Sequence, residues 1–266
     1  MTTTFSGTTV LITGASSGLG AEFASRFAER GADVVLVARR VDRLEELAAT
    51  LAAEHGVAAT PIGFDLAVPD AGTALHAELT RRGITVQTVI NNAGFGAHGL
   101  FAESDAAANA AQIQLNIAAL VDISRAFLPD LLAAAGGPAS AALVNVASTA
   151  AYQPTPYMAV YGATKAFVLS FTEALAWEMR ESSLRVLALS PGATSTEFFD
   201  VAGSGAMIGK PQTPAQVVAT ALDALDRRRT PASVVSGAAN TLSAVGAGLA
   251  PRRATLALSG RLLGPA

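Results

Sequence analysis

The sequence contains no cysteine, only three histidines and only two lysines among its 266 residues. The lack of cysteine excludes disulfide bonds and thiolate metal sites, and because it suits a reducing compartment we expect a cytoplasmic protein. The histidines, His55, His76 and His98, are far apart and show no metal-ligand spacing. We therefore expect no metal site and interpret the three histidines as surface or loop residues.

Charge and long apolar runs are also scarce. Charged residues make up 15% of the chain and the net charge is −3, which leaves no basic footprint for nucleic acid. The chain has no run of about 18 or more apolar residues, so we expect no transmembrane helix. Residues 1–5 lack a charged segment followed by an apolar stretch, so we expect no signal peptide. The hydrophobic content of 51% instead indicates a large buried core.

Short apolar segments alternate with helical patterns along the whole chain, without a linker or an internal repeat. Such alternation favours one α/β domain built around a parallel sheet. The predicted strands are residues 8–13, 33–38, 57–64, 86–91, 141–147, 184–190 and 232–236. Residues 193–213 mix glycine with apolar side chains, which indicates a mobile flap over an apolar site. Leucines and arginines in the last residues predict an amphipathic tail that docks on the domain or on a subunit, with a membrane surface as the alternative.

A glycine-rich turn, with the spacing G-x-x-x-G-x-G, lies between the first predicted strand and a helical pattern. Glycines let the backbone approach a pyrophosphate, and the N–H groups at a helix N-terminus favour negative charge. The turn therefore predicts a dinucleotide-phosphate site, although a glycine-rich turn can also be purely structural. Its candidate binding residues are Gly14, Ser16, Ser17, Gly18, Leu19 and Gly20.

The ends of the second and third predicted strands carry the next candidates. An acid after the second strand would accept hydrogen bonds from a 2′-hydroxyl, whereas arginine favours a 2′-phosphate. Here Arg39 and Arg40 follow Ala38, so NADP(H) is preferred and NAD(H) is the alternative; a solvated basic pair would also fit the pattern. Asp65, followed by Leu66, either bonds the adenine amino group or begins a turn.

Tyr161 and Lys165 are four residues apart in a helical pattern, so both side chains leave the same helix face. A free tyrosine has a pKa of about 10, too high for ready proton exchange at neutral pH. A neighbouring positive charge lowers that pKa, as a tyrosine acid/base requires. The alternative is a buried tyrosine beside a lysine that extends to solvent.

Small and polar residues follow three further predicted strands, at the sheet edge where such folds bind ligands. They are Asn91 at the end of the fourth strand with Asn92, Ala93 and Gly94 after it, Ser148 after the fifth strand, and Pro191 and Gly192 after the sixth. Asn116 is a single amide in the apolar helical stretch 106–135, where it either caps another group or bonds the backbone.

Together these motifs resemble the short-chain dehydrogenase/reductase family, in the family's order and over roughly residues 8–200. The resemblance implies a single-domain, three-layer Rossmann-type fold with a doubly wound parallel sheet of about seven strands. Residues 1–240 would form this catalytic domain, with 193–213 as the substrate flap and 241–266 as the helical tail. The resemblance also implies a nicotinamide cofactor, a Ser-Tyr-Lys site and a homodimer or homotetramer.

Carried over residue by residue, the resemblance makes Tyr161 the acid that protonates a carbonyl oxygen and Ser148 the donor to that same oxygen. Lys165 would hold the nicotinamide ribose and lower the Tyr161 pKa, and Asn116 would keep a water in a proton relay. Further cofactor contacts are implied for Asn92, Ala93, Gly94, Pro191, Gly192, Thr194 and Thr196. Ser17 departs from those NADP-preferring members that carry a basic residue at this position.

The candidate substrate pocket is apolar, formed by Phe95, Met158, Phe198, Phe199 and Met207. Glu197 and Asp200 in the flap would repel an acidic substrate, so we expect an apolar ketone, aldehyde or matching secondary alcohol. The alternatives are an NADP-binding regulatory protein without turnover, a lyase or epimerase of the same fold, and an NAD-preferring alcohol dehydrogenase.

Overall fold

The computed structural model describes residues 5–137, 140–203 and 209–264. These residues form a seven-stranded sheet in which all six strand pairs are parallel, in the order β3-β2-β1-β4-β5-β6-β7. The strands are β1 (Thr9–Thr13), β2 (Asp33–Ala38), β3 (Ala59–Gly63), β4 (Thr88–Asn91), β5 (Ala142–Val146), β6 (Arg185–Ser190) and β7 (Ser233–Val235). The predicted doubly wound parallel sheet is confirmed, with strand boundaries shifted by at most two residues.

The helices connect consecutive strands or follow the last one. They are α1 (Gly18–Glu29), α2 (Val41–His55), α3 (Ala71–Arg81), α4 (Ala106–Ile113), α5 (Leu120–Ala135), α6 (Ala159–Glu178), α7 (Phe198–Ala202), α8 (Pro214–Leu225), α9 (Ala238–Leu249) and α10 (Arg252–Leu263). Short 3₁₀ turns cover Phe101–Glu103 and Thr149–Tyr152, and a π-helical turn, Gln114–Ala119, joins α4 to α5. No helix in the described part of the chain is long and apolar enough to cross a bilayer.

Two apolar layers cover the two faces of the sheet. Helices α1, α2 and α8 pack on one face, where Phe23 and Phe27 of α1 lie one turn apart and fully buried. Helices α3 and α5 pack on the other face through residues such as Leu75 and Phe127, and α6 adds Leu175. Because both faces are covered, the strands are almost continuously apolar, as in β2 (Asp33–Ala38).

Local signals fix the ends of several helices. Thr213 and Gln216 form a reciprocal capping box at the start of α8, and Pro214 occupies its first turn. Gly56 ends α2 in the left-handed conformation, with φ of 67°. These caps explain why both helices begin or end where the sequence pattern changes.

The strand order reverses between β1 and β4, which are neighbours in the sheet although β2 and β3 lie between them in sequence. In open parallel sheets a ligand crevice forms at such a reversal, outside the carboxyl ends of the strands. The loops after β1 and β4 hold the glycine-rich turn and Asn92. The topology therefore places these predicted residues in one crevice.

Candidate active site

The carboxyl ends of β1 and β4 are joined by side-chain hydrogen bonds. Thr13 Oγ1 accepts from the backbone N–H groups of Asn92 and Ala93, each at 3.0 Å. The Asn92 side-chain amide donates to the carbonyl oxygens of Thr13, at 2.9 Å, and Gly14, at 3.3 Å. Asn92 thus fixes the start of the glycine-rich turn against the neighbouring strand.

The glycines of this turn occupy places where a side chain would collide. A Cβ on Gly20 would lie 2.2 Å from the carbonyl oxygen of Gly14, and one on Gly18 would lie 2.9 Å from Thr196 Cγ2. Gly14 and Gly18 also have positive φ, at 67° and 57°. At the start of α1, Ser17 is the N-cap residue but makes no side-chain capping bond. First-turn N–H groups of α1 are therefore available for an anion.

Two arginines lie beside this turn. The Arg40 guanidinium donates to Ser16 Oγ and Ser17 Oγ, both at 2.9 Å, and pairs with Glu197 at 2.7 Å. Arg39 lines the same cleft, and its side chain has no hydrogen bond or ion pair among the described residues. Both cations thus lie where the end of β2 meets the glycine-rich turn.

Asp65 and Leu66 also line the cleft, after β3. The Asp65 carboxylate accepts from the backbone N–H of Ala67 at 2.9 Å, so it stabilises the turn that follows the strand. Leu66 is buried against the core formed with α3. Of the two alternatives for Asp65, the turn is present in this structure, and adenine binding stays a prediction.

Ser148 and Tyr161 meet at the middle of the cleft. Ser148 follows β5 and caps the Thr149–Tyr152 turn, with its Oγ accepting from Ala150 N at 3.1 Å. Burial of the phenol away from water raises the Tyr161 pKa to about 12, and a hydrogen bond with Ser148 offsets part of that rise. The phenol therefore stays protonated at neutral pH.

Lys165 lies one helical turn after Tyr161, with Nζ 5.8 Å from the centre of the tyrosine ring. The buried ammonium donates to the Val146 carbonyl at 2.7 Å. Burial lowers the Lys165 pKa to about 8. The sequence predicts that Lys165 lowers the Tyr161 pKa. In the structure the largest effect on this pKa is the burial of the phenol, which raises it.

Asn116 lies in the π-helical turn, and such turns often occur at functional sites. Its amide donates to Phe95 O at 2.9 Å and Thr164 Oγ1 at 3.1 Å, and its oxygen accepts from Phe95 N at 3.1 Å. The side chain therefore braces the loop after β4 against α6. The proton-relay role of Asn116 stays a prediction.

The flap covers the tyrosine with an aromatic side chain. The Phe198 ring centre lies 5.3 Å from that of Tyr161, and Phe199 meets Phe198 edge-on at 5.3 Å. Phe95 and Met158 line the same part of the cleft, while Met207 lies outside the described residues. Pro191, Gly192, Thr194 and Thr196 line the cleft along the segment that follows β6.

Two parts of the site were not predicted from the sequence. Glu197 pairs with Arg40 and Arg43, and the hydrogen bonds from Arg43 and Arg40 lower its pKa to about 2. Glu197 therefore lines the cleft beside the glycine-rich turn with its charge paired to two arginines, and the exposed Asp200 does not line the cleft. The tail is the second part, because several of its residues line the cleft, namely Ser243, Ala244, Leu262 and Leu263, next to Asn240.

A family model described as short chain dehydrogenase matches residues 8–205 of this chain. The chain belongs to the short-chain dehydrogenase/reductase family. It is thus an oxidoreductase of the class that uses a nicotinamide cofactor.

Curated relatives carry reductase and dehydrogenase names. Sulfoacetaldehyde reductase 2 of Chromohalobacter salexigens is 38% identical over 190 residues, which are 71% of this chain and 73% of the relative. Serine 3-dehydrogenase of Agrobacterium fabrum is 36% identical over 192 residues, again 71% and 73% of the two chains. These relatives support the reaction class and differ from each other in substrate.

Solved structures are similar over nearly the whole chain. A short-chain dehydrogenase from Sphingobium yanoikuyae, solved in complex with NADPH, is 37% identical with a TM-score of 0.79, covering 94% of this chain and 95% of that one. The bulky-bulky ketone specific alcohol dehydrogenase from Comamonas testosteroni is 31% identical with a TM-score of 0.74, covering 91% and 93%. Each of these structures therefore matches more than nine-tenths of this chain.

The cleft of this short-chain dehydrogenase suits a nicotinamide dinucleotide. Its volume of about 810 Å³ lies within the roughly 300–1,000 Å³ typical of small-molecule sites. One end presents the glycine-rich turn, the start of α1 and two arginines to phosphate groups. Ser148, Tyr161 and Lys165 lie near its middle. The roles of these two groups of residues in cofactor binding and in the reaction stay predictions.

Proposed function

We propose that this short-chain dehydrogenase is an NADP(H)-dependent oxidoreductase that interconverts an apolar ketone or aldehyde with the corresponding alcohol. The observation that carries the proposal is the hydrogen-bonded pair of Ser148 and Tyr161, beside buried Lys165, under the Phe198 ring. A hydroxyl pair of this kind can bind a carbonyl oxygen and protonate it. An apolar cover excludes water from that oxygen.

The protein's own residues perform the proton chemistry. Ser148 donates a hydrogen bond to the substrate oxygen and so stabilises the negative charge that develops there. The Tyr161 hydroxyl gives its proton to the same oxygen, and its pKa of about 12 keeps that proton available at neutral pH. Lys165, with a pKa of about 8, is mostly charged at pH 7 and favours the phenolate that remains. When bound, the nicotinamide cofactor supplies or accepts the hydride.

The preference for NADP(H) is supported by Arg39 and Arg40. Both line the cleft at the end of β2, where an acid would otherwise bond a 2′-hydroxyl. Arg39 is exposed and unpaired among the described residues, so its guanidinium can contact a phosphate without breaking another bond. The Sphingobium yanoikuyae relative was solved with NADPH. NAD(H) use is the alternative.

The apolar substrate class is supported by what lines the reacting end of the cleft. Phe95, Met158, Phe198 and Phe199 lie there, and Lys165 is bonded to Val146 O. A carboxylate or sulfonate would need a cationic partner to offset its desolvation, and no further lysine or arginine in the described part of the chain lines this end. The relatives named for sulfoacetaldehyde and serine make a small charged substrate the second candidate.

One substrate panel tests these proposals together. Ketones of increasing apolar bulk, keto acids of matched size and a sulfonated aldehyde are offered with NADPH and with NADH, and the loss of cofactor absorbance is followed. We expect kcat/KM to be highest for apolar ketones with NADPH. Higher values for the keto acids or the sulfonated aldehyde would contradict the apolar pocket, and equal values with both cofactors would contradict the NADP preference.

Two further proposals concern the cellular state of the protein. We propose a cytoplasmic location, supported by the absence of cysteine. We also propose a homodimer or homotetramer, supported by large apolar side chains on the surface, such as Trp177, 69% exposed, and Leu249, 83% exposed. Light scattering coupled to gel filtration measures the assembly, and a monomer at micromolar concentration would contradict it.

A further inference from the structure

The last helix of the chain, α10, returns to the substrate end of the cleft. One of its faces is buried through Thr255, Ser259 and Leu263, which follow each other at four-residue intervals. Leu262 and Leu263 line the cleft. Leu263 is 3% exposed although it stands only a few residues from the end of the chain. This end of the tail is thus part of the cleft wall and not a free extension.

Contacts from two loops hold the end of α10 in place. The His98 ring donates through Nε2 to the Leu263 carbonyl at 2.8 Å, because a carbonyl can only accept. The Tyr157 ring stacks on His98 with centres 5.9 Å apart and planes inclined by 25°. A Cβ on Gly264 would lie 3.4 Å from Tyr157 Cε2, so the chain passes closely over that ring. His98 and Tyr157 therefore clasp the end of the helix.

The clasp is continuous with the loops that shape the catalytic region. His98 follows Phe95 in the loop after β4, and its backbone N–H donates to Ala202 O of the flap helix α7 at 3.1 Å. Tyr157 precedes Met158 and has a positive φ of 64°, and its carbonyl oxygen accepts a hydrogen bond from Gly99 N at 2.8 Å. The tail, the flap and the loop before α6 thus meet at one point.

We propose that Leu262 and Leu263 form the distal wall of the substrate pocket and set the upper size of the apolar group on the carbonyl. His98 is the positioning residue that holds this wall. The substrate part of the proposal rests on the proposed function, whereas the clasp itself does not. The end of the wall is held by the hydrogen bond from His98, in addition to the buried face of α10, so a substitution of His98 alone should loosen it.

The wall is tested with Leu263→Ala, which removes apolar bulk at the far end of the pocket. One methylene in an apolar pocket changes discrimination by about 10- to 200-fold. We expect the kcat/KM ratio of a bulky to a small ketone to rise by about 10-fold or more. Leu262→Ala, at a half-exposed position, gives a second variant should Leu263→Ala fold poorly. Leu256→Ala is the matched control, since Leu256 is on the same helix, 47% exposed, and does not line the cleft.

The clasp is tested without turnover by hydrogen exchange. His98→Ala should increase deuterium uptake in residues 252–264 and leave α1 unchanged, whereas His98→Gln, which keeps a donor, should restore much of the protection. Unchanged uptake in His98→Ala would overturn the positioning role. The kcat/KM ratio of a bulky to a small ketone should change more in His98→Ala than in His98→Gln, because the tail is less protected in His98→Ala.

The outcomes separate the two proposals. If the wild-type enzyme reduces ketones but Leu263→Ala and Leu262→Ala leave the size ratio unchanged, the tail wall is wrong and the proposed function stands. If the wild-type enzyme reduces no ketone, the proposed function fails, and the wall is judged from calorimetric binding of the same small and bulky compounds. If Leu263→Ala and Leu262→Ala changed the affinity for small and bulky compounds equally, the tail wall would be overturned.

Discussion

Replacing Lys165 by methionine should stabilise the protein at neutral pH while removing a catalytic group. Lys165 is 6% exposed, and its pKa is lowered from 10.5 to about 8 because burial disfavours the ammonium. At about 1.36 kcal/mol per pKa unit, the charged form costs about 3 kcal/mol of folding free energy. Methionine has a similar length and no charge, and its introduction loses the charge-assisted hydrogen bond to Val146 O, worth roughly 1.5–3 kcal/mol. We therefore expect a net gain of about 1 kcal/mol at pH 7.

The gain should depend on pH in a defined direction. Between pH 8 and pH 10.5 the unfolded chain holds the Lys165 proton and the folded chain does not, so wild-type stability rises with pH in this window. The advantage of Lys165→Met is therefore largest below pH 8 and disappears towards pH 10.5. Tyr161, with its pKa raised from 10.0 to about 12, acts in the opposite direction, but only above about pH 10.

Urea unfolding at pH 7, 9 and 10 measures these differences for the wild type and Lys165→Met. Lys210→Met is the matched control, because Lys210 is the other lysine of the chain and is exposed. We expect the control to follow the wild type at every pH. A variant that is less stable than the wild type at pH 7, or a stability difference that does not shrink by pH 10, would refute the buried-charge argument.

Three further predictions concern the cofactor end of the cleft. Arg39→Ala should weaken NADPH binding by about 10- to 150-fold, the value of a charge-assisted bond of roughly 1.5–3 kcal/mol, and leave NADH unchanged; equal losses in a fluorescence titration would mean that Arg39 supports the fold. Glu197→Gln should tighten NADPH binding several-fold, since Arg40 is then no longer paired with a carboxylate, and a weaker Kd would contradict this. Gly20→Ala should abolish cofactor binding, because its Cβ would lie 2.2 Å from Gly14 O; binding equal to wild type would refute the close-packed turn.

Much of the fold could be predicted because the sheet is covered on both faces. Buried parallel strands form continuous apolar runs, so β2 (Asp33–Ala38) has the same limits in sequence and structure. The glycine-rich turn and the Tyr161–Lys165 pair were visible for a similar reason, since each depends on spacing within one element. Features of this kind can be predicted from the sequence because they depend only on residues close together in the chain.

The remaining features depend on contacts between distant segments. The ion pair of Arg40 with Glu197 joins the end of β2 to the flap, and nothing near either residue indicates the other. The bond of His98 to Leu263 joins residues 165 positions apart. The Tyr161 pKa also depends on tertiary contacts, because burial of the phenol raises it and the hydrogen bond with Ser148 lowers it. Sequence spacing contains no information on these distances.

The central claim is that Tyr161 supplies the proton for carbonyl reduction, and Tyr161→Phe tests it most directly. The substitution keeps the ring that packs on Phe198 and removes the hydroxyl. General acid catalysis contributes about 10²–10⁴-fold, so kcat for the best ketone should fall by that order while the NADPH Kd, measured by fluorescence on the same sample, changes little. A Tyr161→Phe enzyme with near-normal kcat would contradict the account.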